Sequence, residues 1–194
     1  MRRCPPPPAR CAVKRRLSVR RWLSNDDGAA ALEFAIVALP FFMLVLGILG
    51  MGLYFLANSQ LEYGVEVAAR RVRTGEAQKD STTVGRFKQD VCTAAGSYID
   101  CDKLSVIVQH ASSWSGISPQ ACVDSKGNMV GSTGSTGDLV SKYTGEESEV
   151  VLVTVCYQWD LASSFSFLRL GNASDGTGPS IIQAATAFRS EPYQ

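Results

Sequence analysis

One carboxylate stands where a carboxylate is costly. Glu33 lies inside GAAALEFAIVALPFFMLVLGILGMGLYFLA, the run from Gly28 to Ala57, in which the phenol of Tyr54 is the other ionisable side chain. At a bilayer centre an acid costs roughly 2.5–3.5 kcal/mol, and the cost falls toward the interface or when the acid meets a cation. The chemistry open to Glu33 is therefore charge pairing within an apolar assembly. A simple anchor has no use for an acid one turn into its span; for such an anchor Glu33 merely reaches back to the headgroups.

The remaining reactive side chains are sparse. The chain has one histidine, His110, and six cysteines. It has no nucleophile elbow, no Gly-x4-Gly-Lys loop and no paired-histidine motif, so no enzymatic site is predicted. Cys4 and Cys11 precede the apolar run, whereas Cys92, Cys101, Cys122 and Cys156 follow it. Four cysteines in an oxidising compartment suggest two disulfides, with three possible pairings. Cys92–Cys101 with Cys122–Cys156 is favoured because the first pair closes a short local loop. A zinc site lacks Cys-x2-Cys spacing and histidine ligands. Asp100 and Asp102, flanking Cys101, read as a charged turn. Asp124, Asp138, Glu146, Glu147 and Glu149 lack the oxygen-ligand spacing of a calcium loop and read as solvated charge. No metal and no cofactor is expected.

The elements that must position Glu33 begin with the run itself. At 1.5 Å per residue it exceeds the about 20 apolar residues that a bilayer core requires. Eight basic side chains (Arg2, Arg3, Arg10, Lys14, Arg15, Arg16, Arg20, Arg21) precede it, against Asp26 and Asp27. This bias places the N-terminus in the cytoplasm, opposed by the smaller cluster Arg70, Arg71 and Arg73. Setting the leader aside leaves 11 basic and 16 acidic side chains, a balance that predicts no nucleic-acid partner. The polar, Pro-rich leader is expected to be disordered. The apolar run is longer than the 7–15 residues of a cleaved secretory signal, so Arg20-Arg21-Trp22-Leu23 is not taken as a twin-arginine address.

Pro40 is expected to kink the span, and Gly47, Gly50 and Gly52 permit either close approach of another helix or plain lipid contact. Beyond the span, Leu61, Val65, Ala68, Ala69 and Val72 recur at helical spacing, so one helix of about 45 residues, near 65–70 Å, should run to a stop at Gly75. Glu62–Glu66 is a like-charge pair on it and Glu66–Arg70 a favourable one. Val84–Ala95 reads as a short helix. Leu104–His110 reads as a strand with Leu104, Val106 and Val108 on one face, and Glu149–Trp159 as a central strand. Residues 111–147, rich in Ser, Gly and Thr, should be mostly mobile loop. Leu161–Leu170 is apolar and aromatic, suited to a membrane or to the core. Ile181–Arg189 reads as a last strand, although Gln-Ala-Ala-Thr-Ala also suits a helix. The fold class expected is α+β: a long N-terminal transmembrane helix extending into a small domain with an antiparallel sheet.

Gly28, four apolar residues, then Glu33-Phe34 resembles the cleavage site of type IV-like prepilins. The longer ALEFAIVALPFFMLVLGI, with Pro inside the apolar segment, resembles the TadE/TadG-like minor pseudopilins of the tight-adherence (Flp-type) pilus system. The tail Ala187-Phe188-Arg189-Ser190-Glu191-Pro192-Tyr193 is similar to the ending of many TadE-like proteins. The resemblance implies cleavage between Gly28 and Ala29 by a prepilin peptidase, and an assembly role for Glu33 and Phe34. It implies as partners other pilin-like and pseudopilin subunits, an inner-membrane assembly platform and the bilayer. The organisation implied is a cytoplasmic leader (1–28), a transmembrane helix (29–57), a helix extension (58–75) and a periplasmic α+β domain (76–194) of a bacterial inner-membrane protein. The sequon Asn172-Ala173-Ser174 is then a chance match. The competing function class is an unprocessed, signal-anchored protein whose outer domain binds a ligand or partner.

Overall fold

The computed structural model describes residues 28–144, 148–173 and 175–189. The leader with Cys4, Cys11 and its basic groups, together with Glu146, Glu147, Ser174 and the tail from Ser190 on, lies outside the described residues. The chain divides into two compact units, one ending at Leu44 and one beginning at Val45.

The described part of the first unit is helical. It belongs to α1 (Ala29–Arg73), which runs through Pro40. Its large apolar side chains, among them Leu32, Phe34, Ile36 and Val37, are exposed. An uncovered helix that is apolar all round is what a lipid environment selects.

The second unit is α+β. Along its share of α1, Ala57, Leu61, Gly64, Val65, Ala68, Ala69 and Val72 are buried, a stripe at three- and four-residue intervals. The helix stops where Gly75 adopts φ 74°, and the amides of Thr74 and Gly75 return to the carbonyls of Arg70 and Val72. After a one-turn helix (Glu76–Lys79) comes α2 (Val84–Ala95), whose Thr83 hydroxyl caps the Arg86 amide. Gly64 lets α2 lie close against α1: a Cβ there would stand 2.6 Å from the Val91 carbonyl oxygen. Arg71 reaches across to Asp90 and Asp80 and fastens the end of α1 to this layer.

Three strands, β1 (Leu104–Ala111), β2 (Val150–Trp159) and β3 (Ser180–Arg189), form an antiparallel sheet in that order. The β-branched density of β2 suits its central position, where both faces are buried. One face carries Leu104, Val106 and Val108, with Val151, Val153, Val155, Ile182, Ala184 and Phe188, and forms the core with α1 and α2. The other carries Ile107 and Cys156, covered by Cys122, Val123, Met129 and Val130.

Two expectations need correction. Among the described residues, 111–144 hold no long element, yet they are fastened. Ser132 Oγ and Thr133 Oγ1 accept from the amides of Val106 and Val108, Thr133 N–H donates to the Val106 carbonyl, and Ser105 Oγ donates to the Val130 carbonyl. The loop therefore covers the outer edge of β1. The carbonyls of Thr136 and Asp138 also accept the Gly85 and Val84 amides at the start of α2. Second, Glu66 does not pair with Arg70; its carboxylate accepts from the Thr186 hydroxyl on β3 at 3.4 Å, because that face of α1 overlooks the sheet edge.

Candidate functional site

The first turns of α1 hold the predicted processing and assembly residues. Gly28 precedes the helix, Ala29 is its first residue, and Glu33 and Phe34 follow one turn on. All four are exposed, with Phe34 71% accessible. Among the described residues nothing lies within 4 Å of a Cβ placed on Gly28, so they leave room for a side chain there. Along a helix the Cα–Cβ bond tilts toward the N-terminus, so Glu33 leans toward Ala29, one turn earlier. The helix N-terminus is itself a region of partial positive charge, where a carboxylate is favoured.

Further along, Gly50 is buried, and a Cβ on it would come within 2.9 Å of Leu168 and 3.0 Å of Phe165. Gly47 faces Leu168 and Phe167. The apolar stretch 161–168 falls in Asp160–Leu168, 3₁₀ turns interrupted by a kink at Phe165 and laid on this part of α1. Small size at Gly47 and Gly50 thus admits a segment of the same chain, a partner that spacing alone could not name. Gly52 meets nothing within 4 Å. Tyr54 stacks edge-on against Trp159, with ring centroids 5.6 Å apart.

The four cysteines of the second unit are joined as Cys92–Cys101 and Cys122–Cys156. The first ties α2 to the turn before β1; the second ties the hairpin-like loop, bridged at Val123 and Met129, to the central strand.

The acids flagged in loops hold their own loops. Asp100 caps the turn Cys101–Lys103, and Lys103 spans Asp100 and Asp160 at 3.1 and 2.8 Å. That ammonium lowers both carboxyl pKa values and is itself raised by them. Asp124 is lowered by the amides of Asn128 and Lys126, and Asp138 by the Tyr143 hydroxyl and the Ser135 amide. Each depressed carboxylate contributes fully above the ordinary Asp value of about 3.9 and loses its contribution only as pH falls through its lower folded value. Mild acid should therefore leave these turns intact. Glu149 pairs with His110 Nδ1 at 2.8 Å. No cluster of three metal-ligating side chains occurs among the described residues.

Among the described residues, one helix, α1, is long and apolar enough to cross a bilayer. The family model of the TadE-like proteins matches residues 28–70, beginning at Gly28 and ending within α1. This stretch is TadE-like. The match supports a protein associated with the Tad pilus, in a family that is structural rather than enzymatic. It does not extend to the tail 187–193, of which the described part lies on β3. Neither the curated proteins nor the solved structures gave a match.

Proposed function

We propose that this chain is a minor pseudopilin-like subunit of Tad/Flp pilus assembly that supports adherence. It is made as a precursor and cut between Gly28 and Ala29 by a prepilin peptidase. The mature N-terminal helix is held in the bacterial inner membrane, with residues 58–75 extending the helix and 76–194 forming the periplasmic domain. The observation that carries the reading is the TadE-like match starting at Gly28 on a helix whose fifth residue is an exposed acid. N-in orientation draws support from the basic leader and from Arg71, whose charge is offset by Asp80 and Asp90. The disulfides agree with an oxidising compartment for the second unit. The apolar segment of Leu161, Phe165, Phe167 and Leu168 is laid on Gly47 and Gly50, within the later part of the span, and its exposed Leu161 and Phe167 suit contact with lipid. The partners are the peptidase, other pilin-like and pseudopilin subunits, and the membrane assembly platform.

Glu33 acts in assembly. Cleavage creates an α-amine at Ala29, a cation at the positive end of the helix, where its charge is unfavourable. Within one helix Ala29 and Glu33 are about 6 Å apart along the axis. A neighbouring subunit shifted by one turn brings its Glu33 level with that amine, which removes the isolated-charge penalty and fixes the stagger between helices. Glu33→Gln should insert and mature normally but lose association with pilin-like partners, and Glu33→Asp should retain part of it. Co-purification of partners and surface adherence, read beside a blot for the mature form, decide the matter. Normal partner capture and adherence by Glu33→Gln would reject the assembly role and leave a carboxylate that only reaches the headgroups.

A further inference from the structure

The sheet has two edges and treats them differently. The outer edge of β1 is closed by Ser132 and Thr133, whereas no described residue closes the middle of β3. Strand alternation fixes which groups of β3 face outward. Val106 and Val108 of β1 bond to the loop, so the intervening residues of β1 bond to β2; the even-numbered residues of β2 then face β1 and its odd-numbered residues face β3. In the β2–β3 register, Tyr157, Val155 and Val153 stand opposite Ile182, Ala184 and Thr186, which leaves the odd-numbered residues of β3 pointing away from the sheet. Ile181 agrees: its amide bonds Asn172 Oδ1 outside the sheet. The N–H and C=O groups of Gln183, Ala185 and Ala187 are thus aimed outward, and their side chains are exposed.

Natural edges are usually blunted by Pro, Lys or an inward charge. From Ser180 to Phe188 β3 has none of these. Beside it, α1 lays down a charge gradient. Glu62 and Glu66 flank Ala184, Ala185 and Thr186, and Arg70 and Arg73 flank Thr186, Ala187 and Phe188.

We infer that the open edge of β3 is a docking site for an extended segment of another protein, added as a fourth strand, with a basic side chain beside Glu62 and Glu66 and an acidic one beside Arg70 and Arg73. Main-chain bonds supply the affinity of such strand addition, and the flanking charges supply its specificity. The small side chains of Ala185 and Ala187 leave room for the incoming strand. A second copy of this chain does not fit. α1 and β3 run in the same sense, so antiparallel pairing of two β3 edges would set two α1 helices antiparallel, which two chains anchored alike in one membrane cannot do. Parallel pairing would bring the acidic ends level with each other. Only this exclusion rests on the anchored-subunit reading; the edge and its charges do not.

The test uses the purified full chain in detergent and two synthetic peptides, Lys-Val-Thr-Val-Glu, whose two charges fall on the same face of a strand, and a charge-neutral version with Gln at both ends. Binding is followed by fluorescence anisotropy, and amide exchange reports the site. The charged peptide should bind at least tenfold tighter than the neutral one and should slow exchange at Gln183, Ala185 and Ala187. Ala185→Pro removes one outward N–H and leaves the β2–β3 ladder intact, so it should weaken binding at least tenfold while Ile182 and Ala184 remain protected. Glu62→Lys combined with Glu66→Lys should abolish the preference for the charged peptide. Binding that ignores Ala185→Pro, or no binding at all, would overturn the proposal. A concentration-dependent dimer lost in Ala185→Pro would overturn it too, by making the occupant a second copy. Neither result bears on cleavage at Gly28, which is read separately.

Discussion

Cys122→Ser is expected to lower accumulation of the protein sharply, and more than Cys101→Ser. Cys122–Cys156 links residues 34 apart and Cys92–Cys101 residues 9 apart. In the chain-entropy account a 15-residue loop is worth about 3 kcal/mol and a 100-residue loop about 4.7. The longer link thus falls between those values and the shorter one below them. Loss of the longer link also leaves the fully buried Cys156 as a free thiol on the central strand and unfastens the loop that covers that face. The measurement is a pair of blots for steady-state protein, with non-reducing mass spectrometry of the wild type to count the disulfides. Equal accumulation of both variants and wild type would reject a stabilising role for the longer link.

Gly64→Ala should be the most damaging single-methyl change on α1. The new Cβ would stand 2.6 Å from the Val91 carbonyl oxygen and 2.9 Å from the Ala95 Cβ, and neither neighbour is the free end of a flexible side chain. Overpacking of this kind costs typically about 1–3 kcal/mol, which for a domain of this size lowers Tm by roughly 2–4 °C per kcal/mol. Gly52→Ala is the matched control. Its Cβ meets nothing within 4 Å, and the helix gains up to about 1 kcal/mol in propensity. Thermal unfolding of the detergent-solubilised protein should therefore show a fall for Gly64→Ala and none for Gly52→Ala. A Gly64→Ala protein as stable as wild type would mean that α1 and α2 are less tightly packed than the geometry requires.

How much of this was legible in the sequence depends on the range of the interaction. The buried stripe Leu61, Val65, Ala68, Ala69 and Val72 was readable because helical periodicity is local, and its stop at Gly75 because a positive φ favours glycine. β2 was readable from its β-branched run. β3 was ambiguous, since Gln-Ala-Ala-Thr-Ala suits a helix; pairing with β2, a tertiary effect, decided it. Ser132 and Thr133 read as loop because their work, closing the edge of β1, is done on amides about 25 residues away in the chain. Gly47 and Gly50 left close contact and plain lipid contact open, because the segment they meet lies more than 110 residues on, at Phe165 and Leu168. The expected pairing of Glu66 with Arg70 failed for the same reason: Thr186, across the fold, competes for the carboxylate. At the candidate site, Gly28, Ala29, Glu33 and Phe34 were legible as a motif, and the structure adds that all four stand uncovered at the start of α1.

The central claim is that this chain becomes a pseudopilin-like subunit by cleavage at one bond, and N-terminal sequencing of the mature protein from the membrane fraction of its host tests that most directly. A sequence beginning Ala29-Ala30-Ala31-Leu32-Glu33 is predicted, with Gly28→Val leaving uncut precursor in the membrane. Uncut wild-type protein, or a mature N-terminus at any residue other than Ala29, would contradict it.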